Sequence, residues 1–114
     1  MSMKANLIIN QGTDFITTVT VTDDSGNIVN LTGYTAHGQI RKHYTSTTAY
    51  DITVSFDADR TTGILYLEVY RETTATMEAG RYVYDVELTN ASDVRSRLIE
   101  GIATVTPQVT RSND

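Results

Sequence analysis

Gly80-Arg81-Tyr82-Val83-Tyr84-Asp85-Val86-Glu87-Leu88-Thr89, followed by Leu98-Ile99-Glu100-Gly101-Ile102-Ala103-Thr104-Val105-Thr106-Pro107, decides how this chain folds. In the first stretch Tyr82, Tyr84, Val86 and Leu88 fall on one face of an extended chain, and Arg81, Asp85, Glu87 and Thr89 on the other. A repeat of two is the period of a half-buried strand. The polar break from Asn90 to Asp93 lets the chain reverse into a second long strand, which Pro107 ends because proline has no N–H to give a ladder. The two strands predict a long hairpin at the centre of an all-β domain.

The same alternation extends outward from that hairpin. Phe15, Thr17, Val19 and Val21 oppose Ile16, Thr18, Thr20 and Thr22, and Tyr50, Ile52, Val54 and Phe56 oppose Asp51, Thr53 and Ser55. Leu7 to Asn10 reads as a short first strand, Ile28 to Leu31 as a return segment, Tyr34 to Lys42 as a strand, and Ile64 to Tyr70 as another. Ala36 and Gly38 mark a close approach or a bulge. Turns are expected at Asp23 to Asn27 and Asp57 to Gly63, where Asp side chains bond nearby backbone and glycine takes the special conformation. Glu72 to Ala79 is the one candidate helical turn. About a sixth of the residues are threonine and Tyr is 7, a composition that suits pleated surfaces. About seven short strands at sandwich spacing follow, with a core of Val19, Val21, Ile40, Val54, Phe56, Leu65, Leu67, Tyr84, Val86 and Leu88.

At 114 residues the chain is expected to form one domain, 1–114, with short flexible termini at Met1–Lys4 and Arg111–Asp114. Cys is 0, so no disulfide, thiolate nucleophile or cysteine zinc site can form. The apolar runs are of strand length, too short for a membrane span or a secretory signal. A net charge of −5 disfavours nucleic acid, and the cluster Arg41-Lys42-His43 and the pair Arg95 and Arg97 read as solvated strand faces.

Enzyme chemistry finds little to work with. His37 and His43, six residues apart, lie about 20 Å from each other on an extended strand and cannot share a metal. Asp57-Ala58-Asp59 has the alternating oxygens of a calcium loop, but Arg60 follows and no bidentate Glu stands at the required distance. Asp85 and Glu87 share one strand face about 7 Å apart, where carboxylates are ordinarily solvated. No Ser/His/Asp arrangement or phosphate-binding glycine loop occurs. The chain is therefore expected to be no enzyme, with no cofactor and no metal. Tyr34, Tyr50, Tyr82 and Tyr84 fall on core faces, whereas Tyr44, Tyr66 and Tyr70 are freer and are the candidate contact residues. Leu7, Ile8 and Ile9, an apolar first strand with little charge beside it, are the other candidates, because an open strand edge can add to a neighbour's sheet.

One ordered series spans most of the chain: Asn30 to Thr35 leading to Gln39-Ile40-Arg41-Lys42, Gly63 to Leu67, Gly80 to Leu88, Glu100 to Val105, and Val109-Thr110-Arg111. It resembles a small β-sandwich domain of tailed bacteriophages, similar to the N-terminal domain of phage baseplate upper proteins. The resemblance implies a single antiparallel, immunoglobulin-like β-sandwich and a virion structural protein made in the host bacterial cytoplasm. Its implied partners are other phage virion proteins, either the major capsid protein or tail and baseplate components, with self-association as a further expectation. Because the chain stops at Asp114, with no stalk or receptor-binding domain behind it, capsid decoration is the first expectation. A tail, baseplate or fibre attachment adaptor is the second. A host-receptor or carbohydrate-binding module is the third.

Overall fold

The computed structural model describes residues 3–110. Its strands are β1 (Met3–Lys4), β2 (Leu7–Asn10), β3 (Phe15–Thr20), β4 (Thr35–Arg41), β5 (Tyr50–Phe56), β6 (Ile64–Val69), β7 (Gly80–Thr89) and β8 (Arg95–Thr106). A single α-helical turn, α1 (Arg71–Thr74), stands where the candidate helical turn was expected. The chain is all-β, as the alternation predicts.

The strands join in the order β1-β8-β7-β4-β5-β6-β3, with β2 also on β8. β5 makes the sheet continuous. Its first residues, Tyr50 to Ile52, pair with β4, and Thr53 to Phe56 pair with β6. The sheet curls through that handover, so that the inward faces of β4, β7 and β8 and those of β3 and β6 bury one common core. Ile9, Leu31, Ile40, Leu65, Leu67, Val69, Met77, Val86 and Val105 are almost wholly enclosed. Burying side chains of this size is worth about 1.5–3 kcal/mol each, the main term holding the sheet closed. Eight of the ten expected core residues are buried, and Val54 and Phe56 pack against the core from partly exposed positions at the end of β5.

The hairpin sets the shape. A twelve-residue strand is about 40 Å long, and the molecule measures 46 × 30 × 22 Å. Its radius of gyration, 15.0 Å, accordingly exceeds the roughly 13 Å of a compact chain of this length.

Two local details depart from expectation. Met3 and Lys4 are not frayed: they form β1, paired in parallel with Ile99 and Glu100. β2 likewise runs parallel to β8, so the sheet is mixed where it was expected to be wholly antiparallel. Ile28 to Leu31 is the return segment expected from the sequence. Ile28 bridges to Thr22, Val29 N–H donates to the Val21 carbonyl, and Leu31 N–H donates to the Arg60 carbonyl. Met1, Ser2 and the tail Arg111–Asp114 lie outside the described residues.

Gly38 shows why small residues line β4. It stands opposite Val86 on β7 and Ile52 on β5, and a Cβ there would come 3.0 Å from Val86 Cγ2 and 3.2 Å from Ile52 Cβ. The small residue admits two large ones from either side.

Candidate functional site

The alternation of β8 is broken once, and that break builds the most organised patch on the surface. Val86 pairs with Ile99 but Glu87 pairs with Arg97, so Leu98 is an extra residue, a β-bulge. Leu98 and Ile99 are consequently both buried. In a regular strand Arg97 and Glu100, three apart, would point to opposite faces. The bulge turns them to the same one. Arg97 Nε sits 3.3 Å from Asp85 Oδ2, and its Nη1 donates to Glu100 Oε1 at 3.2 Å.

β4 supplies the other cation. Arg41 donates from Nη2 to Gln39 Oε1 at 3.0 Å and from Nη1 to the Ser46 carbonyl at 2.5 Å, which fixes the start of the β4–β5 loop. Gln39 Nε2 reaches on to Asp51 at 3.3 Å. A cavity of about 150 Å³ opens among Gln39, Arg41, Tyr44, Asp85, Arg97 and Glu100. Partial burial raises the Asp85 pKa above its ordinary 3.8, with Arg97 and Arg41 opposing that shift and Glu87 and Glu100 adding to it. Arg97 spends its charge on Asp85 and Glu100, and Arg41 is held by Gln39 and the Ser46 carbonyl, which leaves a polar face. Such a face offers hydrogen bonds, with the exposed Tyr44 ring beside it.

The sequence candidates are dispersed. Leu7 and Ile9 are core residues and offer a partner only their backbone, whereas Ile8 between them is 67% exposed. Tyr44, 83% exposed, is the one candidate at the ion-pair patch. Tyr66 is half-buried on the outer face of β6, opposite Thr18 and Ser55, and its hydroxyl donates to Asp57 Oδ1 at 2.7 Å, which raises its pKa. Tyr70, 47% exposed, follows β6 and caps α1. None of the four cavities described contains two of these six residues. His37 and His43 do not converge: His37 lies 3.6 Å from Asp51, and His43 sits in the loop after β4, at a separate cavity. Among the described residues no three His, Asp or Glu side chains gather as metal ligands would.

Sequence reading missed Arg97 and Glu100 as a pair. The signal was present in Leu98-Ile99, two adjacent apolar residues where strict alternation allows one. It also missed the second, larger cavity, about 470 Å³, between the β4–β5 loop and the segment after α1. There Tyr50 and Tyr82 meet edge to face at 6.1 Å, and Lys42 Nζ stands 4.7 Å over the Tyr82 ring.

No protein-family model and no curated protein matches the chain. Among solved structures it is similar to an internalin-like protein of Listeria monocytogenes, with a TM-score of 0.45 and 16% identity over 94% of this chain and 28% of that one. It is also similar to the N-terminal four Ig domains of Dscam1, with a TM-score of 0.42 and 15% identity over 93% of this chain and 23% of that one. The chain thus spans about a quarter of either structure.

Proposed function

We propose that the chain is a non-enzymatic structural protein of a tailed-phage virion, working by protein–protein assembly, with capsid decoration placed ahead of attachment at the tail or baseplate. The reading rests on the order and spacing of the strand segments quoted above. The observation that carries it in the structure is the bulged face of the β7–β8 hairpin, where Tyr44 stands exposed beside the Arg97–Asp85–Glu100 ion pairs. Tyrosine and arginine are the residues that dominate protein contacts, and a contact repeated over a lattice can be weak per copy and still hold.

Copy number in purified particles is the test. A quantity tracking the major shell protein supports decoration, a much smaller one supports the tail or baseplate, and absence from washed particles overturns the virion reading. Within decoration, Tyr44→Ala should lower occupancy while leaving the fold intact.

A second reading, carbohydrate binding, is favoured by the 470 Å³ cavity, whose Tyr50 ring and neighbouring Thr47 and Thr48 hydroxyls suit a sugar. Glycan-array binding that Tyr50→Ala removes would promote it.

A further inference from the structure

Two walls of the 470 Å³ cavity are fixed by the fold itself. In the β4–β5 loop His43 N–H donates to Ser46 Oγ and Ser46 N–H to the His43 carbonyl, both at 3.0 Å. The other wall, Thr76 to Glu78, is anchored at its middle by Met77, which is fully buried and whose carbonyl accepts from Gln11 Nε2 at 2.8 Å. The Tyr50–Tyr82 pair also lines the cavity. Tyr82 is buried and donates from its hydroxyl to the Glu78 carbonyl at 2.7 Å, so the partly exposed Tyr50 is the ring that a ligand meets. The volume is in the range of small-molecule sites, and preformed walls lower the cost of binding.

Lys42 brings an unpaired charge to this cavity. Among the described residues no carboxylate pairs with it, whereas Arg41 is held by Gln39 and the Ser46 carbonyl, and Arg97 by Asp85 and Glu100. The ammonium is nonetheless placed. Nζ stands 4.7 Å over the Tyr82 ring, in space that Gly80 leaves open, since a Cβ there would come 2.9 Å from it. A ring face takes up one side of an ammonium and leaves N–H donors for an anion. His43 lines the same cavity, and the one carboxylate among the lining residues, Glu78, belongs to the residue at the hydroxyl end of Tyr82. Ser46, Thr47, Thr48 and Thr76 supply hydroxyls.

We propose that this cavity binds an anionic saccharide, a sugar bearing a carboxylate or phosphate, with that group on Lys42 and the sugar hydroxyls on the threonines and Glu78. The inference rests on the carbohydrate reading of the same cavity and adds the chemistry of its ligand. Both halves of the ligand are needed. A neutral sugar leaves the Lys42 ammonium unmatched. A simple anion makes no use of the hydroxyls or the Tyr50 ring, and it must approach a chain of net charge −5. A polynucleotide meets the same repulsion at every phosphate.

Calorimetric titration of the purified chain at low salt tests it with two matched pairs of probes. One pair is an oligomer of hexuronic acid and the same oligomer with its carboxylates reduced to primary alcohols. The other is a sugar phosphate and its dephosphorylated form, which tells a phosphate ligand from a carboxylate one. In at least one pair the charged member should bind about tenfold or more tightly, an advantage that shrinks as salt rises. Lys42→Met, which keeps an apolar stem over Tyr82, should abolish the advantage. Lys4→Met, the same change of charge on β1, should keep it. Equal binding within both pairs, or an advantage that Lys42→Met leaves intact or Lys4→Met also removes, overturns the proposal and leaves the carbohydrate reading standing. Failure of every sugar to bind overturns both. Inorganic phosphate or a single-stranded oligonucleotide bound as tightly as the charged sugar also overturns the proposal, since the cavity would then select charge alone.

Discussion

The Tyr84 hydroxyl donates a 2.6 Å hydrogen bond to the carbonyl of Ala5, joining residues 79 apart in sequence. Ala5 is the point at which the N-terminal edge breaks between β1 and β2, and its N–H donates in turn to the Glu100 carbonyl at 3.0 Å. The central hairpin therefore holds the break between β1 and β2 through one buried phenol, in addition to the ladders that both strands make with β8. Burial raises the Tyr84 pKa to about 12.

Tyr84→Phe removes that bond and leaves the Ala5 carbonyl without the phenol. The expected cost is about 1 kcal/mol, read as a lower denaturation midpoint, with faster amide exchange confined to β1 and β2. The pH dependence has a definite sign. A folded-state pKa above the unfolded value near 10 means that the folded chain holds its proton more tightly, so this contribution is complete below pH 10 and is lost as pH rises through about 12. Alkaline unfolding of Tyr84→Phe should lack that component.

Gly101→Ala should displace the same edge from the other side. A Cβ at Gly101 would stand 2.0 Å from the Ala5 carbonyl oxygen, which is backbone and cannot swing away. A loss of about 1–3 kcal/mol is expected, together with broadened or shifted amide resonances for Met3 to Leu7. Unchanged resonances there would show that β1 and β2 do not lie where the structure puts them.

Asp85→Asn tests the balance at the bulged face. Because burial is the largest influence on Asp85 and raises its pKa, the ionised carboxylate is less at ease in the fold than in the open chain, despite Arg97. Stability from this group is greatest below pH 3.8 and falls as pH rises through the folded value. The amide should therefore leave the melting temperature at pH 7 unchanged or slightly higher and flatten its acid-side pH dependence. A clear drop at pH 7 would mean that the ion pair with Arg97 outweighs desolvation.

Arg60→Ala should loosen the long connection between β3 and β4. Its guanidinium donates from Nη1 to the carbonyls of Tyr34 at 2.9 Å and Leu31 at 3.2 Å, and stacks 4.0 Å from the Phe56 ring. Charged hydrogen bonds of this kind are worth about 1.5–3 kcal/mol. Arg60→Lys should recover only part of the loss, since an ammonium lacks the planar fork that stacks and donates together. Chemical denaturation of both variants checks the order.

The Arg60 clamp also shows where sequence reading stops. Asp57 to Gly63 is recognisable as a turn from its residues, and the structure has a short 3-10 turn at Arg60–Thr62, with Asp59 accepting from Thr61 N–H and Gly63 at φ 71°. Nothing in the local sequence says that Arg60 reaches back to Leu31 and Tyr34. Leu31 and Tyr34 lie in the connection between β3 and β4, beyond the bridge of Ile28 to Thr22, and their carbonyls accept from Arg60, which comes from a turn some 26–29 residues on. The candidate contact residues divide in the same way. Burial of Tyr84 follows from its place in the alternation and exposure of Tyr44 from its polar loop, but that Tyr44 stands beside Arg97 depends on a bulge two strands away.

The sequence by itself determined the all-β class, the strands other than β1, the turns and most of the core, because each follows from a period of two and from turn residues acting over a few positions. Only the tertiary structure decided which strands neighbour which, that the first two run parallel to β8, that β5 serves both halves of the sheet, and that Arg41, Asp85, Arg97 and Glu100 share one face. Side-chain period fixes which face a residue takes on its own strand, whereas pairing, register and bulges are settled by backbone hydrogen bonds between segments far apart in sequence.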